Sequence, residues 1–246
     1  SYIGAVAVPI DPQYNDKDVS NIISDSGAGL IFISREDRMP LSNPESKPAV
    51  IFAEDIKTLQ PARDFKKSDI EADDVMLILY TSGTTDAPKG VMLTHKNLCS
   101  NFYSLARYNL FSARDTVLSV LPLYHSYSLM VTMITPLLSG AVVVYVPADW
   151  PEKLADYIKE SRATIFIGVP KIYQMMHAKI MKKLKALPLS TALFANFIIS
   201  LRLGRALLPG LRDAFGKDLR FFASGGAKLD KTITKDFLRF GFKMLE

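Results

Sequence analysis

Cysteine is almost absent from this chain: Cys99 is the only one among 246 residues. A lone thiol closes no intrachain disulfide, so stability has to come from a packed core, and a reducing cytoplasm is the natural setting. Histidine is scarce too. His95, His125 and His177 show no metal-ligand spacing with Cys99, which excludes structural zinc. Dense Lys/Arg tracts interleaved with aromatics are missing, so no nucleic acid is expected as a partner. The formal net charge of +5 suits an anionic substrate or peripheral contact with a membrane, and also falls within the range of ordinary soluble proteins. The opening Ser1-Tyr-Ile-Gly-Ala-Val-Ala-Val-Pro-Ile has neither a basic n-region nor a small-residue cleavage site, so no signal peptide is read.

Long apolar runs are interrupted. A membrane span needs ~18 to 20 mostly apolar residues. Residues 129–146 have the length, but Pro136 and Ser139-Gly140 divide them into a helix-like half and a strand-like half. Residues 189–203 are shorter and carry Asn196, Ser200 and Arg202. Neither is read as a span, although the second stretch retains a tunnel-lining or lipid-facing reading. The Met-rich stretch 172–181 reads mainly as core filler.

What the chain does have is alternation. Hydrophobic residues make up 48% of it, enough to bury a sizeable core. Short Val/Ile-rich runs at 5–9, 30–34, 49–53, 75–80, 117–121, 141–146, 164–169 and 219–223 read as strands. Most are continuously apolar, as strands covered on both faces are. Amphipathic stretches at 16–26, 96–108, 151–160, 171–184 and 231–240 read as helices, with Pro151 and Pro170 as opening signals. Residues 40–47 and 60–68 read as surface connections. The fold class is α/β, with largely parallel sheets covered by helices. The chain starts on a strand and stops at Gly241-Phe-Lys-Met-Leu-Glu, a further strand, which reads as a piece cut from a longer protein.

The most informative segment is Tyr80-Thr-Ser-Gly-Thr-Thr-Asp-Ala-Pro-Lys-Gly-Val-Met-Leu-Thr-His95. Four hydroxyl residues and Gly83 directly follow an apolar strand, offering backbone N–H and hydroxyl donors to a polyphosphate, and Lys89 adds a point charge. A P-loop is rejected. Gly83 and Lys89 have its spacing, but Pro88 replaces its second glycine, Gly90 replaces its hydroxyl, and a strand-like run at 91–94 follows instead of a helix.

This segment resembles the Tyr-Thr-Ser-Gly-Thr-Thr-Gly-x-Pro-Lys-Gly-Val signature of the adenylate-forming superfamily, which contains acyl- and aryl-CoA ligases, luciferases and peptide-synthetase adenylation domains. Four further motifs match in order. Gly4-Ala-Val-Ala-Val-Pro-Ile-Asp-Pro resembles an early strand, and Leu121-Pro-Leu-Tyr-His-Ser-Tyr-Ser the core motif. Ile167-Gly-Val-Pro-Lys-Ile-Tyr resembles the acyl-pocket strand of long-chain fatty-acid:CoA ligases, and Ser224-Gly-Gly-Ala-Lys-Leu the adenine-binding turn. Asp86 stands where the family has Gly, and its charge is expected to weaken ATP binding.

The resemblance implies that residues 1–246 are part of the large N-terminal, AMP-binding domain. The small C-terminal domain and a Tyr-Gly-x-Thr-Glu motif with a magnesium-holding glutamate would follow Glu246. It implies phosphate contacts from Thr81, Ser82, Gly83, Thr84, Thr85, Lys89 and Gly90, with Lys89, Thr85 and His125 in catalytic roles and Thr81 near Mg²⁺. It implies an adenine site at Ser224, Gly225, Gly226 and Ala227, and an acid site at Tyr124, His125, Gly168, Val169 and Pro170. His95 would cap the helix at 96–108, and His177 would be structural. ATP, CoA and a fatty acid are the implied partners, with acyl-AMP and then acyl-CoA as products of the whole protein; this chain alone should bind better than it turns over. An aryl-CoA ligase, a peptide-synthetase adenylation domain and a non-catalytic lipid- or nucleotide-binding module are the competing readings. The Phe-Asp anchoring pattern of amino-acid adenylation is missing after His125. The oligomeric state is not legible.

Overall fold

The computed structural model describes residues 3–36, 48–60, 67–81, 88–147, 149–186, 213 and 215–246. The chain forms two compact units, one of residues 1–103 with 124–126, the other of residues 104–123 with 127–246.

In the first unit, helix α1 (Asp16–Ser26) begins where Asn15 accepts a hydrogen bond from the Asp18 amide at 2.9 Å. Asp16 and Asp18 sit in its first turn, where the helix dipole favours negative charge. The helix ends at Gly27, whose φ of +63° is the left-handed cap that glycine adopts most readily. Ile22 and Ile23 pin it to the core. Strands β1 (Leu30–Ile33) and β2 (Ala49–Phe52) pair in parallel, while β3 (Val75–Thr81) and β4 (Lys89–Thr94) form an antiparallel pair. The strand read at 5–9 reduces to a single bridge between Ala7 and Leu77. Gly4 at φ +71° turns the chain on one side, and Pro9 has no amide to continue a ladder on the other. Helix α2 (His95–Ala106) is capped by Thr94, not by His95. The Asn97 amide donates to Thr94 Oγ1 at 3.2 Å and the Thr94 amide to Asn97 Oδ1 at 2.9 Å, a reciprocal capping box.

The second unit is built on five parallel strands: β5 (Thr116–Ser119), β6 (Val142–Tyr145), β7 (Ile165–Gly168), β8 (Phe221–Ser224) and β9 (Met244–Leu245), in the order β6-β5-β7-β8-β9. Both faces are covered, as the continuous apolar runs predict. Leu118, Phe166 and Phe222 pack with Leu154 and Ile158 of α5 (Trp150–Glu160) and with Tyr173 and Met176 of the helix at Pro170–Lys185. Ile233 and Phe237 of the helix at Lys231–Arg239 join the same cluster. Val117, Ile165, Ile167 and Phe221 form the other face, with Tyr127 and Val131 against them. Phe222 meets Phe237 edge-on, with ring centroids 5.5 Å apart.

The run at 129–146 divides into a helical half and a strand as read, but the break falls at Ser139-Gly140 and Pro136 lies within the helical part. A short turn, α3 (Ser126–Ser128), passes into a π-helical stretch at Leu129–Ile134 and then α4 (Thr135–Leu138), before the chain turns at Ser139-Gly140 into β6. A buried hydroxyl chain ties the π-helical stretch to the sheet. Thr132 Oγ1 donates to the Ser128 carbonyl at 2.8 Å and so accepts from Ser119 Oγ at 2.9 Å. Among the described residues no helix is long and apolar enough to cross a membrane. Residues 189–203 lie outside the described residues. The helix Pro170–Lys185 is hereafter α6, and Lys231–Arg239 is α7.

One buried charge ties three strands at their N-terminal ends. Asp115, 1% exposed, accepts from Thr164 Oγ1 at 2.7 Å and Arg220 Nη1 at 2.5 Å, and from the amide and hydroxyl of Ser112 at 2.9 and 2.7 Å. Burial pushes the carboxyl's pKa up, but the hydrogen bonds from Arg220, Thr164 and Ser112 and the charge of Arg220 outweigh it and hold the pKa below the usual aspartate value. Because the folded pKa is depressed, this stabilisation is fully present above the unfolded aspartate pKa of about 3.9 and is lost as pH falls through the folded value. Asp115→Ala should therefore lower stability by about 2–3 kcal/mol at neutral pH. Urea unfolding between pH 5 and about pH 2 should fall more steeply for the parent than for Asp115→Asn.

Candidate functional site

In the first unit, the β3–β4 register sets Tyr80 opposite Gly90 and Thr81 opposite Lys89. Thr81 Oγ1 makes a long contact of 3.5 Å to the Lys89 carbonyl, and both side chains are exposed. Ser82, Gly83, Thr84, Thr85 and Asp86 lie outside the described residues. The hairpin thus carries a hydroxyl and a cation on paired positions at the two ends of the hydroxyl-rich stretch, a donor set suited to phosphate oxygens. Gly90 has a packing reason of its own. A Cβ there would lie 3.0 Å from the Tyr80 ring and 3.0 Å from Ile78 Cγ2.

Tyr124 and His125 stand together in this unit, their rings 4.6 Å apart and tilted by 58°. His125 is exposed, and Tyr124 is half-buried. Burial, then the charge of Asp11 and a hydrogen bond to it, raise the Tyr124 phenol above its ordinary pKa.

In the second unit, the carboxyl ends of β7 and β8 bring Gly168, Val169, Ser224, Gly225 and Gly226 together. Gly168 pairs with Ser224, and the Gly225 amide donates to the Gly168 carbonyl at 3.2 Å. In parallel α/β sheets this end of the strands is where ligand crevices form. The two glycines are required for different reasons. Gly226 has φ +79°, and a Cβ there would meet only Val169 Cγ1, at 3.7 Å, so conformation demands glycine at this position. At Gly225 a Cβ would run into the Tyr127 ring, so close approach demands it. Tyr127 lies against the bare backbone at Gly225, and burial pushes its pKa up to about 12. Ser224 Oγ is buried and has no hydrogen-bond partner among the described residues. An unpaired buried hydroxyl costs about 1–3 kcal/mol, a cost that a hydrogen-bonding ligand would remove. Ala227 is exposed at the end of this turn, and Asp230 caps α7 by accepting from the Thr232 amide at 2.6 Å.

Gly168 faces the core. A Cβ there would meet Tyr173 Cε2 at 3.2 Å, Phe166 Cε1 at 3.3 Å and Ile172 Cδ1 at 3.4 Å. The Tyr173 hydroxyl in turn donates to the Ala223 carbonyl at 2.7 Å, just before Ser224. Val169 and Pro170 form the start of α6. His177 is structural, in line with the sequence reading: its Nε2 lies 2.9 Å from Asp236 Oδ2, joining α6 to α7. Met176 is core.

Tyr127 and Tyr173 are not legible as site residues in the sequence. Their signal, an aromatic two positions after His125 and another five after Gly168, acquires meaning only once glycines are seen to face them. Among the described residues no cluster of three or more His, Cys, Asp or Glu side chains could hold a metal ion. Thr81 supplies a single neutral oxygen, whereas Mg²⁺ takes about six oxygens, so these residues do not form a cage for it.

Comparison with known proteins follows the same lines. The family described as AMP-binding enzyme matches residues 1–245. A feruloyl-CoA synthase of Amycolatopsis sp is 30% identical over 183 residues, covering 71% of this chain and 35% of that protein. The long-chain-fatty-acid–CoA ligase ACSBG2 of Homo sapiens is 36% identical over 114 residues, 46% of this chain and 17% of that protein. Among solved structures, the N-terminal domain of FACL13 from Mycobacterium tuberculosis matches with a TM-score of 0.75 at 25% identity, covering 98% of this chain and 55% of that one. The chain therefore spans about a third or less of the length of these two curated relatives.

The contacts at the two packed glycines give a prediction about stability. Gly168→Ala should lower the melting temperature by an amount equivalent to about 1–3 kcal/mol, because the methyl group presses on Tyr173 and Phe166. Gly225→Ala should cost much less in a Tyr127→Ala background than in the parent. Thermal melting of these variants and the parent checks both statements; additive losses would contradict the contact.

Proposed function

Because the chain belongs to the AMP-binding enzyme family, we propose that it handles ATP and a fatty acid for a ligase that forms acyl-AMP and then acyl-CoA. The observation that carries this reading is the Ser224-Gly225-Gly226 turn. It has a buried hydroxyl with no partner among the described residues, an exposed backbone at Gly226 and a position at the carboxyl end of a parallel sheet. Such a turn suits a flat, hydrogen-bonding base, since no Cβ blocks its approach.

The residues divide the work by chemistry. Lys89 and the hydroxyls of Thr81, Ser82, Thr84 and Thr85 bind phosphate oxygens, and Gly83 and Gly90 contribute backbone amides. As the acid's carboxylate attacks the α-phosphorus and pyrophosphate leaves, negative charge gathers on the departing phosphates, where Lys89 stabilises it. Thr85 is the hydroxyl of this segment closest in sequence to Lys89, and Ala227 closes the adenine turn. In the second half-reaction the thiol of CoA attacks the acyl carbon and AMP departs. Tyr124 and His125 border the carboxylate, and the backbone of Gly168, Val169 and Pro170 lines the acyl entry. Magnesium, when bound, would supply further positive charge against the phosphates.

A fatty acid is favoured by the Gly168-Val-Pro-Lys-Ile-Tyr pattern and by the 36% identity to a long-chain ligase. An aromatic acid is the second reading, supported by the likeness to a feruloyl-CoA synthase.

Calorimetric titration of the chain with MgATP should show saturable binding, about tenfold weaker in Lys89→Ala through loss of a charge-assisted contact. In the full-length protein, adenylate formation across acetate, palmitate and ferulate should favour palmitate, because each CH₂ removed from water contributes about 0.8 kcal/mol. Saturable MgATP binding with a preference for ferulate would move the assignment to the aryl branch.

A further inference from the structure

Tyr80 opens the hydroxyl-rich segment, and its own hydroxyl reaches away along a different path. It donates to Oδ2 of Asp25, on the last turn of α1, at 2.6 Å across 55 positions of sequence. The tyrosine is buried. That burial, then the hydrogen bond and charge of Asp25, push its pKa up to about 12, so it remains a donor at physiological pH. To reach Asp25 the ring crosses the opposing strand at Gly90, where a Cβ would come within 3.0 Å of Cζ and 3.2 Å of the hydroxyl oxygen. Asp25 is presented from a fixed element, since Ile22 and Ile23 of the same helix are each 1% exposed and Gly27 terminates it in a left-handed cap. The next pair in the β3–β4 register after Tyr80 and Gly90 is Thr81 and Lys89.

We propose that Asp25, acting through the Tyr80 ring seated on Gly90, is a positioning residue that sets where Thr81 and Lys89 stand to meet phosphate oxygens. The inference rests on the nucleotide reading above and adds to it a residue on a separate helix. A hydrogen bond from a buried phenol to a carboxylate restrains the ring in two directions, one set by the acceptor and the other by the strand beneath it. Releasing the bond lets the ring rotate over Gly90. Lys89, one residue away on the same strand, then loses its fixed anchor. The proposed base-binding turn at Ser224 belongs to the other unit. Loss of the brace should therefore be felt by phosphates and not by the nucleoside.

The test compares ATP with adenosine on the chain as it stands, using the parent, Asp25→Ala, Asp25→Asn and Tyr80→Phe. Asp25 is exposed and Tyr80→Phe keeps the ring, so all four should melt close together. The expected result is roughly fivefold to twentyfold weaker ATP binding in Asp25→Ala and Tyr80→Phe, unchanged adenosine binding, and partial recovery in Asp25→Asn, which keeps an acceptor oxygen. A double change at both positions should be no worse than either alone. If the folded variants bind ATP as tightly as the parent, or lose ATP and adenosine equally, the positioning role is overturned. A large drop in melting temperature for Asp25→Ala would likewise assign the residue to folding. If the parent binds neither ligand, the nucleotide reading fails, and the positioning role fails with it.

Discussion

A parallel sheet covered on both faces leaves its backbone polar groups no water to fall back on, and the second unit is organised around that requirement. Within β5, β7 and β8 the ladder satisfies them. At the N-terminal ends, where the ladder begins, Asp115 gathers donors from Ser112, Thr164 and Arg220. Thr164 Oγ1 also accepts from the Thr116 amide at 3.0 Å, so one carboxylate and one hydroxyl set the relative height of neighbouring strands. At the carboxyl ends the requirement is met less completely. The Gly225 amide finds the Gly168 carbonyl and the Ala223 carbonyl finds Tyr173, but Ser224 Oγ finds no partner among the described residues. The same sheet is closed at one end and leaves a buried hydroxyl without a partner among the described residues at the other, where the base site is proposed.

Much of this is legible in the chain because it follows from periodicity. The continuous runs at 117–121, 164–169 and 219–223 correspond to β5, β7 and β8, buried on both faces as unbroken Val/Ile/Phe stretches require. Helix α1 coincides with its predicted span, since Asn15 and Gly27 are strong local start and stop signals that act within one turn. Where local signals compete, less can be read. The run at 5–9 has the composition of a strand, but Gly4 and Pro9 leave only Ala7 able to join the ladder. His95 has the place of a cap because it precedes the amphipathic stretch, whereas the reciprocal bonds of Thr94 and Asn97 show that the helix starts one residue earlier.

The site divides in the same way. Residues whose proposed role comes from a local motif, such as Thr81, Lys89 and Ser224 to Gly226, can be named from their order in the chain. Residues that matter through shape cannot. Nothing in the sequence tells which side chain a glycine makes room for, and Gly90, Gly168 and Gly225 are glycine because Tyr80, Tyr173 and Tyr127 lie across them. Each of these tyrosines is distant from, or unremarkable beside, the glycine it packs on. Asp25 is the furthest case: an acidic residue near the end of a helix, meaningful only because a buried phenol 55 positions later ends on it.

Hydrogen–deuterium exchange in the presence of saturating AMP tests the central claim most directly, because it reports on backbone amides peptide by peptide. If the carboxyl end of the sheet is the base-binding site, the peptide spanning residues 221–229 should become protected on adding AMP, while the peptide around Asp115 should not change. Unaltered exchange across residues 221–229, with AMP shown to be bound, would contradict the account.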